Sequence, residues 1–161
     1  MDSLWAPWRM EWIEKETKEC IFCRIPQEER DEENLLLRRF RTCFIVLNRF
    51  PYNNGHLMIA PYRHVPSLED LNTEEGMDLF KASIICLRAI KETMRPDGFN
   101  LGINIGKAAG AGFEGHLHIH IVPRWIGDTN FMPVIGKTKV ISEALRETYR
   151  KLSKVFPMIL E

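Results

Sequence analysis

The sequence predicts an α+β domain whose mostly antiparallel, five-stranded sheet carries one long helix and a C-terminal helix. Five short segments are rich in β-branched, aromatic and aliphatic residues, which favour strands. One long segment with helical apolar spacing separates the third strand from the fourth, and a second such segment follows the fifth. Short strands in succession around a long helix are typical of the α+β class. The predicted strands cover residues 35–37, 42–47, 56–60, 99–105 and 116–122.

The long helix is predicted from the residues that begin and end it. Asn72 can cap its first turn, and Glu75, three residues later, completes a capping box. Pro96 and Gly98 mark its end. The predicted buried side consists of large apolar residues at helical spacing, which are Met77, Phe80, Ile84, Leu87 and Met94.

The two ends of the chain are predicted to extend a core of about residues 20–125 within one domain, 1–161. The C-terminal extension, 141–161, holds a helix over residues 142–154 with Leu145, Tyr149 and Leu152 facing inward. The N-terminal extension, 1–19, places Trp5, Trp8 and Trp12 at helical spacing. We interpret that tryptophan stripe as a packing surface.

Composition and charge exclude several classes of function. Lys plus Arg and Asp plus Glu each number 22, so no net field attracts nucleic acid or an anionic membrane. No apolar run approaches the roughly 20 residues that a membrane helix needs, and the first residues lack the pattern of a secretory signal. Four cysteines in such a chain favour free thiols or a metal over disulfides. We therefore expect a cytoplasmic protein without nucleic-acid or membrane partners.

Three of the five histidines alternate within five residues, as His116, His118 and His120. Strict alternation with Leu117, Ile119 and Ile121 predicts a strand that Pro123 ends, with the imidazoles in a row on one face. Such a row can bind a metal through neutral nitrogens or act on phosphate.

Chemistry on phosphate suits this row well. A neutral imidazole is a nucleophile toward phosphorus, and a neighbouring imidazole can donate a proton or offset charge. His118, which has a histidine on either side, is the predicted nucleophile. The glycine-rich segment 106–112 precedes the row and brings backbone amides and Lys107 toward phosphate.

These residues resemble the histidine triad family. The segment from His116 to Val122 is similar to the triad signature, in which histidines alternate with hydrophobic residues. The segments 44–51, 55–61 and 104–110, together with His64, resemble the upstream half and the phosphate loop of that family. The resemblance covers about residues 20–125 and implies a nucleotide-binding α+β domain, usually a homodimer, that transfers or hydrolyses nucleotidyl groups without an organic cofactor.

The resemblance also implies roles for individual residues. His118 matches the nucleophile, His120 and His116 the flanking triad members, and His56 a fourth catalytic-site histidine. Asn48 matches the position that holds the ribose hydroxyls. The remaining expected contacts to a nucleotide, with adenine nucleotides favoured, are Leu47, Phe50, Asn104, Lys107, Gly110 and Gly112.

The branch of the family is indicated by segments outside the triad. Residues 5–9, 123–125 and 127–134 are similar to the diadenosine tetraphosphate phosphorylase group. Many family members carry Gly-Gln-Ser or Gly-Gln-Thr before the triad, whereas this chain has a longer stretch from Gly110 to Gly115. We therefore expect phosphate contacts from backbone amides and Asn104, and inorganic phosphate as an acceptor. The alternatives are a dinucleoside polyphosphate or phosphoramidate hydrolase and a nucleotide-binding module without turnover.

Cys20 and Cys23 form a Cys-x-x-Cys pair, which is half of a common zinc site and also occurs in redox proteins. The resemblance implies that Cys20, Cys23, His64 and His116 together hold a structural zinc ion. Cys43 and Cys86 lie in apolar patterns and are predicted core residues. A site with all three triad histidines on a catalytic zinc is disfavoured, because no carboxylate base lies nearby.

Overall fold

The computed structural model describes residues 19–110, 113–128, 141 and 143–159. The tryptophan stripe, Gly112 and most of the segment 127–134 lie outside these residues. Within the part described, no helix is long and apolar enough to cross a membrane.

Five antiparallel strands form one sheet, which confirms the predicted α+β class. The sheet order is β1-β2-β3-β5-β4, so β5 lies between β3 and β4 instead of following β4 at the edge. The strands are β1 Leu36–Arg39, β2 Cys43–Leu47, β3 Leu57–Pro61, β4 Gly98–Ile103 and β5 Ile119–Arg124. Every residue of β2 and β3 is buried, as expected for central strands covered on both faces.

The turn between β2 and β3 sets the position of His56. The Asn48 N–H donates to the His56 carbonyl oxygen at 2.8 Å and closes the turn. Gly55 has a φ of +73°, and a Cβ there would lie 2.6 Å from the Met94 sulfur. Only glycine meets both conditions without strain, so Gly55 allows the chain to enter β3 with His56 fully buried.

The histidine row does not begin as a strand, contrary to the prediction. β5 starts at Ile119, so His116 and His118 lie in the irregular segment before it. The register pairs Ile59 with Ile119, which would bring Leu117 opposite Pro61. Pro61 has no N–H to donate, so the ladder stops there. The Leu117 N–H instead donates to the carbonyl oxygen of Val65 at 2.6 Å.

Pro123 does not end this strand either. β5 continues to Arg124, and Pro123 pairs with Phe99 of β4. The Pro123 carbonyl accepts a hydrogen bond from Asn53 Nδ2 at 3.0 Å, and Asn53 lies in the turn that precedes β3. The chain therefore stays extended past the proline.

Among the described residues, four α-helices accompany the sheet. They are α1 Ile21–Arg24, α2 Asp31–Asn34, α3 Thr73–Met94 and α4 Leu145–Val155. The predicted capping box of α3 is present, with Asn72 and Glu75 bonded reciprocally. Helix α3 packs on β2, β3 and β5, and α4 packs on α3 and β1.

The predicted buried face of α3 is wrong for three of its five residues, whereas Leu87 and Met94 are half-buried and pack against the core. Met77 and Phe80 are 54% and 66% exposed, and Ile84 is also exposed. The buried residues include two alanines, which let the helix approach the sheet closely; the buried apolar set is Leu79, Ala82, Ile85, Cys86, Ala89 and Ile90. In α4 the prediction holds for Tyr149 and Leu152, which are buried, while Leu145 is half-buried.

Candidate nucleotide site and metal centre

A cavity of about 680 Å³ opens beside the start of β5. Its wall combines side chains from α1, β2, β3 and the turn after β2 with His118 and His120. The apolar lining includes Phe22, Val46, Leu47, Phe50, Met58 and Phe113. The cavity is large enough for a nucleotide, and two of the histidines stand at its wall.

The ring of His118 is held in one tautomer. Its Nδ1 lies 2.9 Å from the carbonyl oxygen of His116, and a carbonyl only accepts, so Nδ1 carries the proton. Burial lowers the pKa of His118, and this hydrogen bond offsets part of that shift. The imidazole is therefore neutral near pH 7, and its unshared electron pair is on Nε2.

A chain of hydrogen bonds fixes the tautomers of His56 and His120. The Tyr52 N–H donates to His56 Nδ1 at 3.1 Å, so this nitrogen is the acceptor and His56 Nε2 carries the proton. His56 Nε2 lies 2.9 Å from His120 Nδ1 and donates to it. When the His120 ring carries a single proton, that proton is therefore on Nε2. The rings of His118 and His120 meet edge to face with centroids 4.7 Å apart.

Asn48 supports the same chain from the turn after β2. Its Nδ2 lies 3.2 Å from His56 Nδ1, and its Oδ1 accepts from the Phe50 N–H at 2.9 Å. Asn48 is buried and lines the cavity together with Leu47 and Phe50.

His116 faces a different group of residues. Its Nδ1 lies 3.3 Å from Cys20 Sγ, 3.5 Å from Cys23 Sγ and 3.2 Å from His64 Nδ1. Cys23 Sγ and His64 Nδ1 are 3.2 Å apart, and all four ligand atoms lie within 4.8 Å of one another. These four residues are called the donor cluster below.

The donor cluster fits a tetrahedral zinc ion. With Zn–N of about 2.0 Å and Zn–S of about 2.3 Å, tetrahedral ligands are separated by about 3.3 Å for two nitrogens and about 3.5 Å for nitrogen and sulfur. His116 Nε2 donates to the Pro61 carbonyl oxygen at 2.9 Å, which leaves Nδ1 to act as a ligand. Burial lowers the pKa of His116 to about 4, so the ring is neutral, as metal binding requires. Burial raises the pKa of Cys23 to about 11, and charge repulsion from the nearby Cys20 adds to this increase. A cation bound between the two sulfur atoms would relieve that repulsion.

The phosphate-loop residues lie apart from the cavity wall. Asn104, Lys107 and Gly110 follow β4, and none of them lines the cavity. Lys107 and Gly110 are exposed, and Asn104 is half-buried. Their contacts to a substrate stay a prediction, as does that of Gly112, which lies outside the described residues. The predicted core positions of Cys43 and Cys86 are confirmed, since both are fully buried.

Sequence reasoning missed several residues at the site, and three of them stand out. Phe22 stacks on the His118 ring, Tyr52 donates its N–H to His56, and Arg146 from the first turn of α4 reaches the cavity wall. The position of Phe22 between two cysteines was the only available sequence signal. Nothing in the sequence links Arg146 to the cavity, because no motif accompanies it.

Comparisons with known proteins show the family of the chain. The profile of the HIT domain matches residues 29–125. A protein named AP-4-A phosphorylase from Mycobacterium tuberculosis (strain H37Rv) is 42% identical over 163 residues, covering 95% of this chain and 83% of that protein. A bis(5'-adenosyl)-triphosphatase from Dictyostelium discoideum is 38% identical over 81 residues, covering 50% of this chain and 54% of that protein.

A solved structure extends the likeness to the fold. The crystal structure of a Zn-bound histidine triad family protein from Mycobacterium smegmatis matches with a TM-score of 0.70 and 26% identity, covering 89% of this chain and 96% of that one. The prediction of a histidine triad enzyme is confirmed, since the named relatives are enzymes. By its domain profile, its sheet and its histidines, the chain belongs to the HIT domain family.

Proposed function

We propose that this chain cleaves dinucleoside polyphosphates through a nucleotidyl group carried on Nε2 of His118, and that inorganic phosphate is the acceptor. The observation that carries the proposal is the 2.9 Å hydrogen bond from His118 Nδ1 to the His116 carbonyl oxygen. It leaves Nε2 unprotonated on a side chain that lines a nucleotide-sized cavity.

The first step exchanges one bond to phosphorus for another. The Nε2 electron pair attacks the α-phosphorus, the N–P bond forms, and the bond from phosphorus to the bridging oxygen breaks. The remaining nucleoside polyphosphate leaves with that electron pair. His120 Nε2–H donates a proton or a hydrogen bond to the oxygen that leaves. His56 supports this donor by bonding to the other nitrogen of the His120 ring.

The second step returns the enzyme to its starting state. An oxygen of inorganic phosphate attacks the same phosphorus, the N–P bond breaks, and the acceptor's proton restores His120. The products from diadenosine tetraphosphate are ADP and ATP. With water as the acceptor, the second step would release AMP in place of ADP.

The cavity suits the nucleoside half of such a substrate. Leu47 and Phe50 supply apolar surface for a base, and Asn48, which the resemblance matches to the ribose-binding position, lines the same cavity. We propose the segment with Asn104, Lys107 and Gly110 for the phosphates. The similarity to the phosphorylase and to the triphosphatase favours adenine nucleotides.

The donor cluster is proposed to hold zinc in a structural role. Cys20, Cys23, His64 and His116 would complete a closed tetrahedral site, and the ion would supply rigidity instead of a reacting ligand. The zinc-bound histidine triad structure supports this assignment.

The deciding experiment measures products with and without phosphate. Purified protein is given diadenosine tetraphosphate in buffer free of phosphate, then with inorganic phosphate added, and the nucleotides are separated. We expect ADP and ATP only when phosphate is present. AMP produced at the same rate in both conditions would contradict phosphorolysis and favour a hydrolase. The similarity to the triphosphatase is consistent with that alternative.

The role of His118 is tested with His118→Ala and a labelled substrate. The variant should lose at least about a thousandfold in turnover while binding the nucleotide with an affinity close to wild type, because the side chain forms the bond instead of holding the base. Acid-quenched wild type should carry one labelled nucleotidyl group, and the variant none. A fully active variant would refute the nucleophile assignment.

A further inference from the structure

The stacking partner of His118 lies between two members of the donor cluster in the sequence. Phe22 occupies the position directly before Cys23 in helix α1, and it is 1% exposed. Its ring stacks on that of His118, with centroids 4.7 Å apart and an interplanar angle of 29°. It also contacts the ring of His116, at a centroid distance of 5.3 Å.

Two contacts therefore restrain the His118 ring, and they restrain different motions. The hydrogen bond to the His116 carbonyl selects one of the two ring flips, because only Nδ1 can donate to it. The Phe22 ring limits the tilt of the imidazole, because a flat face covers one side of its plane. Neither contact alone fixes the direction of Nε2.

Both contacts originate at the donor cluster. Phe22 is bounded by Cys20 and Cys23, and the carbonyl that accepts from His118 belongs to His116, which contributes its own side chain to the cluster. An ion bound by these ligands would immobilise the stacking residue and the hydrogen-bond acceptor together.

We propose that Phe22 is a positioning residue for His118, and that the donor cluster fixes the orientation of the nucleophile through Phe22 and the His116 carbonyl at once. The inference rests on the proposed function, in which His118 Nε2 is the attacking atom. Positioned nucleophiles lose rate steeply when displaced, on the order of a hundredfold for about 1 Å.

The first test replaces the flat ring and keeps the apolar volume. Phe22→Leu should lower kcat for diadenosine tetraphosphate by about ten- to a hundredfold, with a smaller change in KM. Phe22→Met, whose flexible chain fills the same space, is the second variant and should behave alike. The matched control is Phe44→Leu, which removes another fully buried ring that stacks on Tyr62, at 5.6 Å. The control should lower the melting temperature while changing kcat less than twofold.

The second test reads the ring directly and needs no turnover. Histidine labelled with ¹⁵N reports which ring nitrogen carries the proton, and His118→Ala assigns the signal. Wild type with zinc should show only the Nδ1–H tautomer of His118. Phe22→Leu, and wild type stripped with a chelator, should each show a mixture of tautomers because the ring tilts away from the His116 carbonyl.

The outcomes separate the two proposals. If Phe22→Leu and Phe22→Met fold, keep kcat within twofold and keep one tautomer, the positioning role is refuted. If stripping zinc leaves the tautomer unchanged, the link to the donor cluster is refuted. If wild type turns over no dinucleotide while the tautomers respond as described, the proposed function fails and Phe22 still orients the ring.

Discussion

Replacing His56 tests the chain of hydrogen bonds behind His120. His56→Leu keeps a buried side chain of similar size and removes the donor to His120 Nδ1, which lies 2.9 Å away. His120 can then carry its proton on Nδ1, and the nitrogen that faces the leaving oxygen loses its hydrogen. Loss of a general acid costs about a hundred- to ten-thousandfold, so we expect kcat for diadenosine tetraphosphate to fall by that amount.

The structure also sets the expected loss of stability. His56 is fully buried and accepts from the Tyr52 N–H at 3.1 Å and from Asn48 Nδ2 at 3.2 Å. Leucine leaves both donors without this acceptor, at about 1–3 kcal/mol for each unsatisfied group. For a chain of this size, each kcal/mol lowers the melting temperature by about 2–4 °C. The two groups together cost about 2–6 kcal/mol, so we expect a decrease of about 4–24 °C.

Two substrates separate the chemical effect from the structural one. The p-nitrophenyl ester of AMP has a leaving group that departs without a proton, so His56→Leu should slow its cleavage much less than that of an adenosine phosphoramidate, whose amine needs one. His56→Gln is the matched control, because its amide can accept from the Tyr52 N–H and donate toward His120. Equal losses on both substrates would show that His56 acts only through the fold, and the assigned tautomers would be wrong.

Three further predictions concern the donor cluster and the fold. Cys23→Ser should reduce zinc from about one equivalent per chain to less than about a tenth, measured by elemental analysis of desalted protein; wild type without zinc would refute the site. Protein stripped of metal should become less stable below about pH 6.5, losing up to about 3 kcal/mol by pH 4 in urea unfolding, because burial lowers the pKa of His116 to about 4 and the unfolded chain binds the proton first. A flat profile would contradict it. Glu75→Gln should cost about 1–2 kcal/mol, because the Arg63 guanidinium lowers the pKa of Glu75 to about 2. That contribution is present above about pH 4.5 and fades toward pH 2, so an unchanged unfolding midpoint at pH 7 would refute it.

The sequence predicted what depends on local chemistry. The capping box at Asn72 and Glu75 and the five strands follow from short-range preferences, and each is present. The burial of α3 was not predictable in the same way, because it depends on which face meets the sheet. Side-chain size alone favoured burial of Phe80 and Met77. The helix instead packs through a face that includes the small residues Ala82 and Ala89.

The same division applies to the site. Alternating spacing pointed to His116, His118 and His120 as one set, and the histidines do gather in one region. Their side chains point into different surroundings. His116 Nδ1 faces two thiols and a second imidazole, whereas His118 lines the cavity. Hydrogen-bond direction, tautomer and the ring over His118 arise only from three-dimensional contacts.

The placement of Pro61 explains how one motif can supply both a metal ligand and a nucleophile. Pairing with β3 stops opposite this residue, so the chain is not bound to a strand register at His116 and His118. His116 can therefore turn its side chain into the donor cluster while its carbonyl remains available to His118 at 2.9 Å. A regular strand would place the three imidazoles on one face. Its backbone carbonyls would bond to the neighbouring strands or point away from the next histidine ring. The interruption at Pro61 thus allows His116 to serve as the proposed metal ligand while His118 and His120 face the proposed substrate.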